Sequence, residues 1–412
     1  MVPRKLTPRI LEALADTPVV LVNGARQTGK STLVRWLLAE KRAATYVTLD
    51  DATILNAAIR DPVAFVSAHR GPLIIDEIQQ APDLLRAIKL EVDRRRVPGR
   101  FLLTGSADVF LVPRVSETLT GRIEILTLWP FSQGELQGTA DEFIDAVFAR
   151  PVPPRVPPVT RPELLERVLA GGYPEAVART ADARRSAWFA AYVTTLIQRD
   201  VRALADIERR TELPRLLTLL AAQSGSLLNM AELARSTGVA GTTLRRYLGL
   251  LEASFLVQTL PAWSGNVRKR LIRAPKITLI DSGLMAHVLG LDRLRLQSDP
   301  RTFGPLLESF AVQEIRKQMT WSRTRTTLFY YRTAAGREVD LVLEDAAGRI
   351  VGIEVKASAT IGGTDWRGLH DLAETAGRRF HRGIMLYLGE QSLPCAPNLY
   401  LMPVSALWQL GT

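Results

Sequence analysis

The run Gly24-Ala25-Arg26-Gln27-Thr28-Gly29-Lys30-Ser31 narrows what this chain can fold into more than any other feature. An unbroken apolar stretch, Val19 to Val22, precedes it, and an amphipathic stretch, Thr32 to Leu38, follows. Apolar residues without polar alternation suit a strand buried on both faces, so the order reads strand, glycine-rich loop, helix. The glycines leave room for backbone N–H groups to close on a polyphosphate, and the helix N-terminus adds its dipole. In that arrangement Gly24, Ala25, Arg26, Gln27, Thr28, Gly29 and Thr32 form the cradle. Lys30 reaches the β- and γ-phosphates, and the Ser31 hydroxyl holds Mg²⁺.

Such a cradle needs a second strand ending in carboxylates, and Leu73-Ile74-Ile75-Asp76-Glu77 supplies one. Asp76 is expected beside the Mg²⁺ shell, and Glu77 as the general base for an attacking water. The apolar run Phe101 to Leu103 ends in Thr104-Gly105-Ser106. Thr104 or Ser106 either positions that water at the γ-phosphate or belongs to an ordinary polar turn. Glu117-Thr118-Leu119-Thr120-Gly121-Arg122 precedes a further strand, Ile123 to Leu128. Arg122 is a candidate arginine finger acting in trans on a neighbouring subunit of a homo-oligomer, or a salt-bridged residue of an arginine-rich chain.

The 412 residues leave room for two or three domains, and 47% hydrophobic against 23% charged residues describes globular material. No apolar run is long enough to span a bilayer and no signal-peptide core follows the first residues, so a cytoplasmic protein without a membrane partner is expected. The single cysteine, Cys395, excludes an intrachain disulfide framework and a multi-cysteine zinc site. A net charge of +11 suits a polyanion such as DNA, or reflects arginine-rich coding.

Prolines between Arg150 and Pro158 favour an extended linker. The expected division is a nucleotide-binding α/β domain over 1–149, a Pro-rich linker over 150–160, a helical segment with a winged helix-turn-helix over 161–263, and a C-terminal domain over 264–412. In the third part Asn229 caps a helix from Met230 to Ser236, and a second helix runs from about Thr242 to Ala253 with Leu244, Leu248 and Leu251 buried. Leu256 to Leu260 is expected as the wing. Thr243, Arg245, Arg246 and Tyr247 would then face a DNA groove or a protein partner. Arg268, Lys269, Arg270, Arg273 and Lys276 form either a phosphate track or a solvated basic strip.

In the last part, Glu338 to Leu343 alternates, turns near Ala347-Gly348 and returns as Ile350 to Lys356. A turn centred there sets Asp340 opposite Glu354, with Lys356 on the same face. Such a trio suits a metal-dependent phosphodiesterase in which Asp340 and Glu354 bind the metal and Lys356 orients water or stabilises the transition state. Glu308, on the helical stretch Pro305 to Met319, would complete the metal shell. The other reading is the polar face of an ordinary hairpin. The chain has only eight lysines, and Lys30 and Lys356 both stand where an amine serves chemistry.

GARQTGKST, LIIDEIQ, LLTGS and ETLTGR resemble the signatures of prokaryotic AAA+-type ATPases (AAA_14), and GGYPE, LIQRDV and ITLIDSGL resemble the DUF4143 proteins of that group. GREVDLV with IEVKAS is similar to the PD-(D/E)xK nuclease core. The resemblance covers essentially the whole chain. It implies a P-loop NTPase parallel-sheet domain, a helical and winged-helix segment and a restriction-endonuclease-like α/β domain. It also implies ATP and Mg²⁺ at Lys30, Ser31 and Asp76, with Glu77 as base and Arg199 as a candidate second sensor. Two functions follow: an ATPase acting on DNA through its winged helix and nuclease-like domain, or an ATP-switched regulator binding a protein or operator through an inactive nuclease-like fold. A small-molecule kinase is disfavoured, because Glu77 suits water activation.

Overall fold

The computed structural model describes residues 2–41, 43–106, 119–149, 156–198 and 212–411. Glu117, Thr118, Arg199 and the prolines Pro151, Pro153 and Pro154 lie outside them. The described chain forms two compact units, Met1–Pro130 with Ala253–Phe255, and Phe131–Glu252 with Leu256–Thr412. Among the described residues no helix is long and apolar enough to cross a membrane.

The first unit is built on five parallel strands, β1 (Val19–Asn23), β2 (Thr45–Thr48), β3 (Leu73–Asp76), β4 (Phe101–Gly105) and β5 (Ile123–Thr127), in the order β2-β3-β4-β1-β5. The apolar runs of β1, β3 and β4 have no solvent face because both faces are covered. Val19, Leu21, Leu73, Ile75, Phe101 and Leu103 pack with helices Ala52–Arg60, Pro62–Ala68 and Leu84–Arg94. The alternate residues Val20, Val22, Ile74 and Leu102 pack with helices Thr7–Asp16 and Lys30–Glu40. Parallel register brings Asn23, Asp76 and Gly105 to one end of the sheet, where the carboxyl ends of the strands offer a site.

The second unit contains a six-stranded mixed sheet of β8 (Thr326–Arg332), β9 (Glu338–Asp345), β10 (Ile350–Val355), β11 (Phe380–Tyr387), β12 (Leu393–Ala396) and β13 (Leu399–Pro403). Their order is β12-β13-β11-β10-β9-β8. β8, β9 and β10 are antiparallel neighbours, and the helix Arg367–Ala376 carries the chain to β11, which runs parallel to β10. Leu369 and Leu372 of that helix pack on Val339, Val342 and Met385. A Cβ on Gly352 would lie 2.6 Å from Leu372, so the sheet is thinned where the helix crosses it. The buried helix Phe303–Gln318 precedes β8.

The boundary between the units falls after Pro130, earlier than the expected 149, and residues 161–263 do not separate from 264–412. Buried polar bonds explain both differences. Glu314 accepts from Gln133 N at 2.8 Å, Gln318 donates to Asp141 at 2.7 Å, and Asp145 accepts from Ser322, Arg323 N and Thr324 N. Asp281 accepts from Gly172 N at 2.7 Å and Leu284 N at 2.9 Å, and a Cβ on Gly171, at φ 68°, would lie 2.2 Å from the same carboxylate. The GGYPE and ITLIDSGL segments are therefore two halves of one packing contact.

The helices Met230–Thr237 and Gly241–Ala253 form as expected, the first capped by the Asn229 side chain and ended by Gly238 at φ 71°. The buried face of the second is Leu244, Tyr247 and Leu251, so Tyr247 faces inward and Leu248 is only half-buried. Leu256 to Leu260, expected as the wing, holds a strand. β6 (Val257–Leu260) pairs antiparallel with β7 (Lys276–Leu279), with residues 261–275 between them, and Leu227 bridges to Lys276.

Candidate functional site

At the end of β1 the backbone turns at Gly24 with φ 141°, where a Cβ would lie 2.3 Å from the Leu128 carbonyl oxygen. Only glycine fits there. Gln27 at φ 62° and Gly29 at φ 91° complete the loop, and Gly29 caps the helix Lys30–Glu40. The Lys30 side chain is buried and its ammonium donates to Gly24 O at 2.9 Å and Ala25 O at 2.7 Å. Thr28 donates to Ala25 O at 3.0 Å, and Arg4, far away in sequence, donates to Thr28 O at 3.1 Å. The loop is thus already closed around its lysine, while Thr32 is exposed.

Ser31 donates to Asp76 Oδ1 at 3.0 Å, which joins the loop to the end of β3. Asp76 also accepts from Tyr46 at 2.8 Å and from Thr104. Burial and the hydrogen bond to Asp76 raise the Tyr46 phenol above its ordinary value. Glu77, half-buried, holds a left-handed φ of 61°, a conformation that costs a non-glycine residue about 1–2 kcal/mol and belongs to strained functional positions. Its N–H donates to Thr104 at 3.0 Å, and its carboxylate accepts from Ser106 at 3.1 Å and from Gln79. Gln79 donates to Ser106 at 2.8 Å as well.

The structure therefore assembles Gly24 to Ser31, Asp76, Glu77, Thr104 and Ser106, all foreseen from sequence. Thr104 spends its hydroxyl on Asp76 and Glu77, which makes it a bridge between strands. Tyr46 and Gln79 were not foreseen as site residues: Tyr46 lies inside a strand of its own, and Gln79, which ends the LIIDEIQ motif, follows the two carboxylates that drew the reading. Arg122 stands apart: it precedes β5 at the opposite end of the strands, pairs with Asp93 at 2.5 Å and donates to Thr120 O at 3.0 Å.

The second constellation, in the other unit, has the expected register. Ile353 pairs with Leu341, which places Asp340 beside Glu354. Asp340 N donates to Glu354 at 3.4 Å, Val355 N donates to Asp340 at 2.8 Å, and Lys356 donates to Glu354 at 2.7 Å. Glu308 joins from its helix. What occupies the centre is Lys276, the first residue of β7, whose side chain is 1% exposed. Its ammonium lies 2.8 Å from Glu308, 2.5 Å from Glu338 and 3.9 Å from Asp340.

Lys276 is thus no part of a phosphate track or a solvated strip: its ammonium lies against Glu308 and Asp340, two of the three carboxylates expected around a metal. Among the described residues no group of three or more His, Cys, Asp or Glu side chains is arranged to hold a metal. Burial, then repulsion from Asp340, pushes Glu308 and Glu354 up to about 8 against the pull of their lysines. Burial opposes charge on Lys276, but Glu308, Asp340 and Glu338 raise it above its ordinary value. Arg270 of the same basic run is also tied down, 2.6 Å from Glu344. Arg268 and Arg273 are exposed.

Residues 16–137 match the family described as AAA domain, 161–295 the domain of unknown function DUF8612, and 303–407 the domain of unknown function DUF4143. Two relatives, Rv2008c of Mycobacterium tuberculosis and Mb2031c of Mycobacterium bovis, both named as uncharacterized proteins, are each 32% identical over 99% of this chain and 85% of their own length. Among solved structures, the Thermotoga maritima RuvB Holliday junction branch migration motor superposes with a TM-score of 0.30 at 18% identity, covering 61% of this chain and 88% of that chain. A point mutant of RuvB gives 0.31 at 17%, covering 63% and 90%.

Proposed function

Because the chain belongs, with its mycobacterial relatives, to the family that joins an AAA domain to a C-terminal DUF4143 region, we propose that it is a Mg²⁺-dependent ATPase that binds DNA under the control of its nucleotide state and does not cut it. The observation that carries ATP hydrolysis is the Ser31–Asp76 hydrogen bond, which joins the phosphate loop to the carboxylate strand with Glu77 next along. A hydroxyl and a carboxylate are hard oxygen donors that fit Mg²⁺, whose charge would offset that of the β- and γ-phosphates. Lys30, held among the loop carbonyls, neutralises the same phosphates, and the loop N–H groups orient them. Glu77 takes the proton of the attacking water, with its carboxylate steered by Ser106 and Gln79.

Nucleotide binding and ATP turnover of the parent, Lys30→Ala and Glu77→Gln test this reading. Lys30→Ala is expected to lose both. Glu77→Gln is expected to keep binding while turnover falls about 10²–10⁴-fold, the usual worth of a general base. Turnover at the parent rate in Lys30→Ala overturns the proposal.

The non-cleaving half of the proposal is supported by Lys276, because an ammonium neutralises the acidic cluster without activating water. DNA contact is supported by the outward face of the helix Gly241–Ala253, where Arg245 and Arg246 are exposed, and by the +11 charge. No cutting of plasmid, linear or single-stranded DNA with Mg²⁺ or Mn²⁺ is expected. Cutting that disappears in both Asp340→Ala and Lys356→Ala would reinstate a nuclease.

A further inference from the structure

The connection from β6 to β7, residues 261–275, carries the most exposed large aliphatic side chains among those described. Leu271 is 81% and Ile272 82% exposed. Their base is firmly built. Trp263 N donates to Tyr330 O at 2.6 Å and Tyr330 N to Pro261 O at 3.0 Å, so the start of the connection runs along β8. Trp263 is fully buried. Arg270 donates to Ser264 O at 2.6 Å and lies over the Trp263 and Phe329 rings at 5.7 and 4.9 Å.

Arg270 and Lys276 face inward onto carboxylates, whereas Arg268, Leu271, Ile272 and Arg273, on the short helix Val267–Ile272 and just past it, are exposed. Arg273 donates to the Arg332 carbonyl at 2.9 Å, which fixes where its guanidinium sits. No acidic residue occurs between Pro261 and Pro275. An aliphatic pair between exposed guanidinium groups complements a surface that is anionic outside and apolar inside. A lipid headgroup layer and duplex DNA are two surfaces of that kind. The lipid surface is the poorer fit, because Leu271 and Ile272 offer little apolar area and the nearby Trp263 is buried, whereas interfacial binding scales with the apolar area inserted and its aromatic anchors. Duplex DNA fits better. Aliphatic wedges enter between base steps in the minor groove while arginines meet the phosphates and the groove wall. The helix Gly241–Ala253, which leads directly into β6, presents Arg245 and Arg246 to the same kind of partner.

We propose that Leu271 and Ile272 form a wedge that unstacks a base step of duplex DNA from the minor groove, with Arg268 and Arg273 on the flanking phosphates. The inference rests on the reading that this protein binds DNA. Its test uses the full chain, with and without ATP and Mg²⁺, on short duplexes carrying 2-aminopurine. Parent binding should raise 2-aminopurine fluorescence, the signature of lost stacking. Leu271→Ser with Ile272→Ser should abolish that rise and weaken binding about tenfold, the balance of aliphatic burial against unstacking. Arg268→Ala with Arg273→Ala should lower the slope of log affinity against log salt by about 2.

Parent binding without any fluorescence rise overturns the wedge and leaves DNA binding standing. So does a serine pair that binds and unstacks like the parent. Absence of duplex binding by the parent overturns both the wedge and the DNA reading. Association with anionic phospholipid vesicles that requires Leu271 and Ile272, with no effect of those residues on DNA, assigns the face to lipid and overturns the proposal.

Discussion

Asp76 and Asp340 are both buried carboxylates on β-strands with a second acid close by, yet their surroundings treat charge in opposite ways. Asp76 is held by the hydroxyls of Ser31, Tyr46 and Thr104, neutral donors that can turn aside for a cation. Asp340 lies in a cluster of four carboxylates, with Glu308, Glu338 and Glu354, into which the chain inserts two ammonium groups, Lys276 and Lys356. A hydroxyl leaves the anion in need of a counter-ion. A buried lysine is itself the counter-ion, and it is covalently attached. The residue types of a metal site therefore decide little until the group that neutralises them is known.

The sharpest way to break this contrast is Lys276→Met, which keeps the bulk of the side chain and removes the charge. It strands Glu338 and Asp340, and loss of one partner from a buried ionic cluster typically costs about 3–5 kcal/mol. Urea unfolding at constant pH should show a loss of that size, and adding Glu338→Gln should restore part of it. A Lys276→Met chain as stable as the parent would remove the distinction between the two sites.

A smaller effect follows from protons. Folded, Glu308 and Glu354 keep theirs up to about 8; unfolded, they titrate near 4.5. Between those values unfolding releases protons, so their contribution to stability is full below pH 4.5, declines as pH rises and is gone above about 8. Glu354→Gln has no such proton to lose. Relative to the parent it should gain stability steadily from pH 5 to pH 8 in thermal or urea unfolding, and a constant difference across that range would contradict the buried, protonated state.

What could be read from sequence divides along the same line. The phosphate loop was legible because its chemistry is contiguous: Gly24 to Ser31 supply the amides, the amine and the hydroxyl within one turn of chain. The pairing of Asp340 with Glu354 was legible because period-two alternation and a turn at Ala347-Gly348 leave one register. Lys276 was not, since its meaning depends on β7 lying beside a helix and a strand that come later in the chain. One signal was present. Lysine is scarce here, and Lys30, Lys276, Lys317 and Lys356 all serve carbonyls or carboxylates. The unit boundary was hidden for a similar reason. Asp141 and Asp145 sit in an ordinary-looking polar stretch, and their partners Gln318 and Ser322 to Thr324 are non-local. Tyr247 was misplaced because Arg245 and Arg246 next to it suggested a polar face, while the helical period carries Leu244 to Tyr247 and Leu251.

Tyr46 gives the finest test of the comparison. Its hydroxyl is the only one of the three on Asp76 Oδ2, and the Arg35 guanidinium lies 4.9 Å over its ring. If neutral donors merely hold Asp76 ready for a cation, Tyr46→Phe should be mild, because Ser31 and Thr104 remain on the other oxygen. The loss of one hydrogen bond to a carboxylate is worth about 1.5–3 kcal/mol at most, and solvent at this half-buried position replaces part of it. The expected result is a stability loss of about 1 kcal/mol, with KM for Mg·ATP altered a few-fold and kcat unchanged. A collapse of kcat instead would mean that the phenol does more than orient Asp76, and that this carboxylate, like Asp340, depends on a partner it cannot exchange.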